Sequence, residues 1–111
     1  MKLQPKESQI QRAILDYLKL RGIFCWRNNS LAVPIIDKYN RRHYIRTGMK
    51  GLPDIFCLLP SVLLMLEVKT ARGKLSDEQK AFFEKAKELG HYCVVVKSVE
   101  DVEKILEHLN L

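Results

Sequence analysis

The stretch from Gly51 to Thr70, GLPDIFCLLPSVLLMLEVKT, constrains the fold of this chain more than any other. Most of it is apolar, as expected for strands that lie inside a covered sheet. Yet Asp54 stands near its start, and Glu67 and Lys69 stand near its end. Charged side chains are seldom fully buried unless they are paired or bind something. The three charges therefore require a structural reason.

The two halves of the stretch predict an antiparallel hairpin of strands 54–59 and 62–68, joined at Pro60-Ser61. Both strands are apolar at odd and even positions alike, which is typical of strands covered on both faces. With a two-residue loop, paired residue numbers add up to 121. The hairpin therefore fixes which residues lie opposite each other.

In that register Asp54 lies directly opposite Glu67. Opposed residues share a face of the sheet, with Cβ atoms roughly 4.5–5.5 Å apart. Lys69 follows Glu67 by two positions and points to the same face. We therefore expect two carboxylates and one amine on a single surface.

Two opposed carboxylates repel each other, and a cation between them makes the arrangement favourable. Oxygen-only ligation selects a hard ion such as Mg²⁺ or Mn²⁺, which can act on phosphate chemistry. Lys69 can then orient a water or neutralise charge on a phosphate. The alternative is structural: Asp54 serves as a turn residue after Pro53, and Glu67 pairs with Lys69 at a strand end.

Periodicity and capping signals predict the remaining elements. They are a helix over 6–20, a strand over 23–28, a helix over 76–89 with a Ser76–Gln79 capping box, a buried strand over 92–97 and a last helix from Ser98. A right-handed crossover should leave strands 62–68 and 92–97 parallel. The fold class is α/β, a mixed sheet with helices on its faces. The inward stripe predicted for the second helix is Leu75, Gln79, Phe82, Phe83, Ala86 and Leu89.

Positive charge is concentrated in the first half of the chain. Residues 1–50 hold eleven Lys and Arg against three acids, a net of +8, whereas residues 51–111 have a net of −2. A basic half on a small domain favours a polyanion such as nucleic acid, and a simple solubility charge is the alternative. Residues 29–50 form a basic excursion, with a small hairpin around Asn40. The candidate phosphate contacts, or else solvated loop cations, are Arg41, Arg42, Arg46, Lys50, Arg72 and Lys74.

The three cysteines are far apart and form no Cys-x-x-Cys pair, so a zinc site is not expected. We predict buried free thiols and a cytoplasmic location. The longest strongly apolar run, 55–66, is too short to cross a bilayer, so no membrane association is expected. The chain length predicts one domain over 1–111, and nothing in the sequence calls for an organic cofactor.

The motifs Gly51-Leu52-Pro53-Asp54 and Glu67-Val68-Lys69, followed by Gln79 in the next helix, resemble those of the PD-(D/E)XK nuclease superfamily. More narrowly, the chain resembles the VRR-NUC (virus-type replication-repair nuclease) family. The resemblance runs from Glu7 to the strand at Val94–Val96. It implies an αβββαβ core, to which the last helix is a C-terminal addition.

The resemblance also implies roles for individual residues. Asp54, Glu67 and the backbone carbonyl of Val68 would bind a divalent metal, and Lys69 would act at the attacking water. Glu7 would reach a second metal or a water, and Gln79 would support the site. Each has a plainer alternative, because a glutamate favours the first turn of any helix and Gln79 can simply close its capping box. Gly51 and Pro53 would shape the turn before Asp54.

These inferences lead to the hypothesis of a Mg²⁺- or Mn²⁺-dependent DNA endonuclease. The resemblance implies stand-alone members from phages or prophages, in a bacterial or phage-infected cell, that cut branched DNA such as Holliday junctions. A two-fold homodimer would supply two sites for two strands. The rival is a non-catalytic basic nucleic-acid-binding module that uses residues 38–50, and a protein-interaction domain is a third option. His43 is either a proton donor or an ordinary loop histidine, and Trp26 either a core residue or a base-stacking one.

Overall fold

The computed structural model describes residues 4–28, 32–46 and 49–111. The elements in chain order are α1 (Glu7–Leu20), β1 (Phe24–Arg27), β2 (Ala32–Ile36), β3 (Arg42–Arg46), β4 (Ile55–Leu58), β5 (Leu63–Val68), α2 (Asp77–Glu88), β6 (Tyr92–Val96) and α3 (Val99–His108). Without the β2–β3 hairpin, the order is α1-β1-β4-β5-α2-β6, followed by α3. The predicted αβββαβ core with an added C-terminal helix is confirmed.

The main sheet has four strands in the order β1-β4-β5-β6. β4 pairs antiparallel with both β1 and β5, whereas β6 pairs parallel with β5. The parallel pair is joined through α2, as the β-α-β pattern predicts. The predicted mixed sheet is therefore confirmed.

The hairpin of β4 and β5 has the predicted register. Ile55 pairs with Leu66 and Leu58 with Leu63, so paired residue numbers add up to 121. The Leu59 amide donates to the Val62 carbonyl at 3.1 Å and closes the turn around Pro60-Ser61. Continued by one residue, the same ladder sets Asp54 opposite Glu67.

One face of the sheet packs against α1 and α3 and forms the core. The inward stripes of the helices meet alternate residues of β4, β5 and β6 there. The fully buried members are Ile14, Leu18, Ile55, Cys57, Leu64, Leu66, Val68, Val96, Val102 and Leu106. This core fixes the direction in which the other residues of β5, including Glu67, must point.

The opposite face is covered only in part, because α2 lies over β6 and leaves β1 and β4 open. Leu58 is 57% exposed and Trp26 is 39% exposed, so the predictions of a doubly covered strand over 54–59 and of a core role for Trp26 are wrong. Leu89 is exposed at the end of α2, and β6 is half-buried along most of its length. All three cysteines are free, but only Cys57 is fully buried.

Capping side chains set the starts of α2 and α3. Ser76 Oγ accepts from the Gln79 amide at 3.2 Å, and Gln79 Oε1 accepts from the Ser76 amide at 2.8 Å, which completes the predicted capping box. At α3, Ser98 Oγ accepts from the Asp101 amide at 3.2 Å. The Asp101 carboxylate accepts from the Lys97 amide instead of returning to Ser98.

Strands β2 and β3 form a two-stranded hairpin of their own that does not join the main sheet. Its turn contains Asn40 in the left-handed region, with φ of 61°, so the predicted hairpin around this residue is confirmed.

The radius of gyration is 16.2 Å, against about 13 Å for a compact chain of this length. In the part of the chain that the structure describes, no helix is long and apolar enough to cross a membrane.

Candidate active site

The turn before β4 is packed tightly against the start of α2. Gly51 has φ of +88°, and a Cβ at this position would lie 2.8 Å from the backbone carbon and oxygen of Glu78. Lys50 Nζ lies 3.1 Å from Glu78 Oε1, and Pro53 is fully buried. Only a glycine fits this approach without displacement, so the turn that leads into Asp54 is held in place by α2.

Asp54 is fixed by bonds to strands on both sides. Its carbonyl accepts from the Asn28 amide at 2.7 Å, just after β1. Its Oδ2 atom accepts from the Val68 amide at 2.8 Å, at the end of β5. The carboxylate therefore stands at the ends of the two central strands, beside the side chain of Glu67, whose pKa its charge raises.

Glu67 is the one buried charged residue among those described, with 2% of its surface exposed. Its Oε2 atom is buried without a hydrogen-bond partner. Burial, followed by the charge of Asp54, raises the pKa of Glu67 to about 8, against the weaker opposing effect of Lys69. A buried oxygen with no donor is costly in a native fold and requires an explanation, such as a bound proton or cation.

Lys69 lies on the same face as Glu67. Its Nζ atom is 3.8 Å from Glu67 Oε1, and its side chain is 16% exposed. The Lys69 amide donates to the Val96 carbonyl, so β6 holds the backbone in place. The following loop packs onto the side-chain stem, because a Cβ at Gly73 would lie 3.1 Å from Cβ and Cδ of Lys69. The amine is thus positioned before any substrate arrives.

The two supporting residues implied by the resemblance lie at helix starts. Glu7 is half-buried in the first turn of α1, and its charge makes the smallest of the contributions that raise the pKa of Glu67. Across residues 4–28, 32–46 and 49–111, no three His, Cys, Asp or Glu side chains gather into a potential metal-binding group. Glu7 therefore does not form a metal-binding group with Asp54 and Glu67. Gln79 is half-buried, and its Oε1 atom is engaged in the capping box.

Of the predicted phosphate contacts, Arg42, Arg72 and Lys74 are exposed. Two others are exposed but paired: Arg41 Nε lies 3.0 Å from Asp37 Oδ2, and Lys50 pairs with Glu78. Arg46 lies in β3, and its side chain falls outside the described part of the structure. Arg72 and Lys74 follow Lys69 closely, whereas Arg41 and Arg42 belong to the separate hairpin.

Sequence reasoning missed Asp37, which organises that hairpin. Its carboxylate accepts from the amides of Tyr39 and Arg41, from Arg41 Nε and from His43 Nε2 at 2.7 Å. The bond from the Arg41 amide, followed by the one with His43, lowers the pKa of Asp37. His43 is thereby engaged within the hairpin. The signal available in the sequence was an aspartate three residues before Asn40, which is a common turn opening.

Comparison with known families identifies the family of the chain. The family model described as VRR-NUC domain matches residues 5–100 of the chain. The chain belongs to the VRR-NUC family. This is a family of nuclease domains, so the protein is a nuclease-type domain with a nucleic-acid substrate.

A solved VRR-NUC structure, described as "VRR_NUC domain", has the same fold. It superposes with a TM-score of 0.64 at 24% sequence identity, and the match covers 92% of this chain and 95% of the other. A search of curated proteins finds no match. The fold and family of this VRR-NUC protein are thus established together.

Proposed function

We propose that this VRR-NUC protein is a Mg²⁺- or Mn²⁺-dependent endonuclease that hydrolyses phosphodiester bonds in branched DNA, four-way junctions among them. One observation carries the proposal. Glu67 has a buried oxygen without a hydrogen-bond partner, on the sheet face where Asp54 and Lys69 also lie. Neither the core nor the ion pair at 3.8 Å uses that oxygen.

The residues present fit a divalent cation. Glu67 is forced toward its neutral form by burial and by Asp54, and a cation between the two carboxylates would relieve both effects. An all-oxygen pair of this kind selects a hard ion that keeps several waters and so leaves room for a phosphate. The family is one of nuclease domains, which as a class use such ions.

Asp54, Glu67 and the Val68 carbonyl would hold the ion. When bound, it supplies Lewis-acid stabilisation of charge on a phosphoryl oxygen. The Val68 amide fixes Asp54 through a 2.8 Å bond, so the carboxylate needs little reorganisation on binding. Lys69 donates a hydrogen bond to the attacking water or to the phosphate and neutralises developing negative charge.

Glu7 and Gln79 have supporting roles in this proposal. Glu7 orients a water, or contributes to a second ion, from the start of α1. The side-chain amide nitrogen of Gln79 donates a hydrogen bond toward the site, while its Oε1 atom stays in the capping box.

DNA is held by contacts to its phosphates from cations around the site, which position the substrate without reading its bases. These cations are Arg41, Arg42, Arg46, Lys50, Arg72 and Lys74. Residues 1–111 act as one domain, and a two-fold homodimer cuts two strands of a junction. A cytoplasmic location remains a prediction from the free thiols.

The test is cleavage of a panel of labelled linear, flapped, splayed and four-way DNA in Mg²⁺, Mn²⁺ or EDTA. We expect metal-dependent cleavage that is strongest on branched substrates. Lys69→Ala and Asp54→Asn should abolish it, whereas Glu84→Gln on the exposed side of α2 should not. Equal cleavage by the site variants would reject the enzyme proposal, and DNA binding without cleavage by the wild type would favour the non-catalytic module. Cleavage of linear and branched DNA at one rate would reject only the structure selectivity.

A further inference from the structure

The open face of the sheet carries a group of aromatic side chains next to the candidate active site. This aromatic face consists of Phe24 and Trp26 of β1 and Phe56 of β4, with Leu58 beside them. Phe24 is 69% exposed, Leu58 57% and Trp26 39%. Soluble domains seldom expose such groups without a partner.

The aromatic face and the carboxylate pair lie on the same side of the sheet. Side chains alternate along a strand, so Phe56 shares its face with Asp54, two residues away. That separation is about 7 Å along β4. Trp26 pairs with Phe56 across β1 and β4, while Met65 pairs with Phe56 on the other side. The surface therefore continues from the candidate metal site to the edge of the sheet.

The three rings are not stacked on one another. The ring centroids of Phe24 and Trp26 are 5.9 Å apart with planes at 68°, and those of Trp26 and Phe56 are 5.7 Å apart at 45°. Face-to-face stacking within the group would have used up the flat surfaces. Because these rings meet at an angle, they are not stacked face to face on one another. Every nucleobase has a flat π-face that can stack on an aromatic ring.

A positively charged groove lies along the edge strand β1 beside Trp26, on the α1 side of the sheet, to which Cys25 and Arg27 point because they alternate with Trp26. It is lined by Arg12, Leu15, Asp16, Lys19, Cys25, Trp26 and Arg27. Arg12 and Asp16 lie 3.6 Å apart and offset each other. Lys19 and Arg27 leave the groove with a net charge of about +2, which suits a phosphate backbone and would repel a second copy that presents the same face.

We propose that this aromatic face binds unpaired nucleobases, so that among branched substrates the protein prefers those with a single-stranded segment next to the cleaved bond. The bases stack on Phe24, Trp26 and Phe56, while the backbone passes around the exposed edge of β1 to Lys19 and Arg27. The inference deepens the proposed nuclease function and rests on it, because it takes the neighbouring carboxylates to be the nuclease active site. Binding itself needs neither the metal nor cleavage.

Trp26 is the single tryptophan of the chain, so its fluorescence reports on this face directly. The full-length protein in EDTA is titrated with oligo(dT) and with a duplex of equal length, and binding is followed in parallel by anisotropy of a labelled oligonucleotide. We expect oligo(dT) to quench Trp26 and to bind more tightly than the duplex. Unchanged Trp26 fluorescence at saturation would overturn the proposal.

Phe24→Ala and Trp26→Leu should each weaken oligo(dT) binding at least about fivefold, as loss of one stacking partner does. Tyr92→Ala is the matched control, because Tyr92 is an aromatic residue, 42% exposed, on β6 away from this face. Circular dichroism excludes misfolded variants, and Phe56→Leu provides a milder substitution. Affinity retained by all three ring variants would contradict the inference.

A second copy of the chain is the competing occupant. Sedimentation velocity in EDTA shows whether the protein forms a dimer, and Trp26 emission on dilution shows whether a dimer covers the aromatic face. A dimer whose dissociation exposes Trp26 would overturn the proposal. Failure of the nuclease proposal can be told apart from failure of base binding. Quenching of Trp26 fluorescence without cleavage in metal would reject the nuclease proposal and leave base binding intact. Cleavage without quenching would reject base binding alone.

Discussion

Asp54 and Glu67 face each other across the ends of β4 and β5, in continuation of a ladder that pairs Ile55 with Leu66. The Val68 amide holds Asp54 at 2.8 Å, so the backbone keeps one carboxylate beside the other. Burial and the neighbouring charge of Asp54 raise the pKa of Glu67 to about 8.

Without divalent ions, stability should fall as the pH rises from about 4.5 to about 8. Because the folded-state pKa of Glu67 is raised, its contribution is fully present below the unfolded pKa and is lost as pH rises through the folded pKa. Glu67→Gln should therefore melt at a higher temperature than wild type at pH 8 in EDTA, with a smaller difference at pH 5. Glu84→Gln serves as the control for a lost surface charge. Parallel pH profiles for wild type and Glu67→Gln would contradict this prediction.

Mg²⁺ and Mn²⁺ should raise the melting temperature of the wild type at pH 8. A ligand that binds only the folded state at 100 times its Kd adds about 2.7 kcal/mol. The gain should shrink at pH 6, because the ion competes with the proton on Glu67. Asp54→Asn and Glu67→Gln should lose most of the shift in differential scanning fluorimetry. A full shift in both variants would place the ion elsewhere.

Gly51→Ala should destabilise the protein more than Gly22→Ala. Both glycines have positive φ, at +88° and +73°, but only at Gly51 would a Cβ meet the backbone of Glu78, at 2.8 Å. The comparison isolates the overlap, for which we expect an additional loss of roughly 1–3 kcal/mol in urea unfolding. Equal losses would show that α2 can move away from the turn at no cost. Cleavage by Gly51→Ala should also fall, since the turn positions Asp54.

Arg42→Ala should weaken DNA binding in EDTA and reduce the slope of log K against log salt by about one. Arg42 is exposed on β3, where a phosphate can reach it. Lys104→Ala removes another exposed cation, on α3 and distant in sequence from the basic half, and should leave the slope unchanged. Fluorescence anisotropy at several salt concentrations measures both. An unchanged slope for Arg42→Ala would remove the hairpin from the DNA footprint.

Turn and capping preferences of individual residues predicted the parts of the fold that depend on short stretches of sequence. The Pro60-Ser61 turn fixed the strand register, and Ser76 with Gln79 fixed the start of α2. The opposition of Asp54 and Glu67 followed from that register alone. These features depend on neighbours along the chain or on one two-residue turn, which is why they could be predicted.

Exposure was predicted less well because it depends on where α2 lies. The apolar pattern of β4 is the same whether or not a helix covers it, so the exposure of Leu58 and Trp26 could not be anticipated. The approach of Gly51 to Glu78 joins segments far apart in sequence. Likewise, the helical position of Glu7 could not show that it stays outside a three-acid cluster.

The central claim is that Asp54 and Glu67 together hold one divalent cation. A crystal soaked in Mn²⁺ at pH 8, with diffraction data collected at the manganese absorption edge, tests it most directly. The account predicts an anomalous peak in contact with both carboxylates and with the Val68 carbonyl, absent from Glu67→Gln crystals. A fully soaked crystal with no peak between the two carboxylates, or with the peak unchanged in Glu67→Gln, would contradict it.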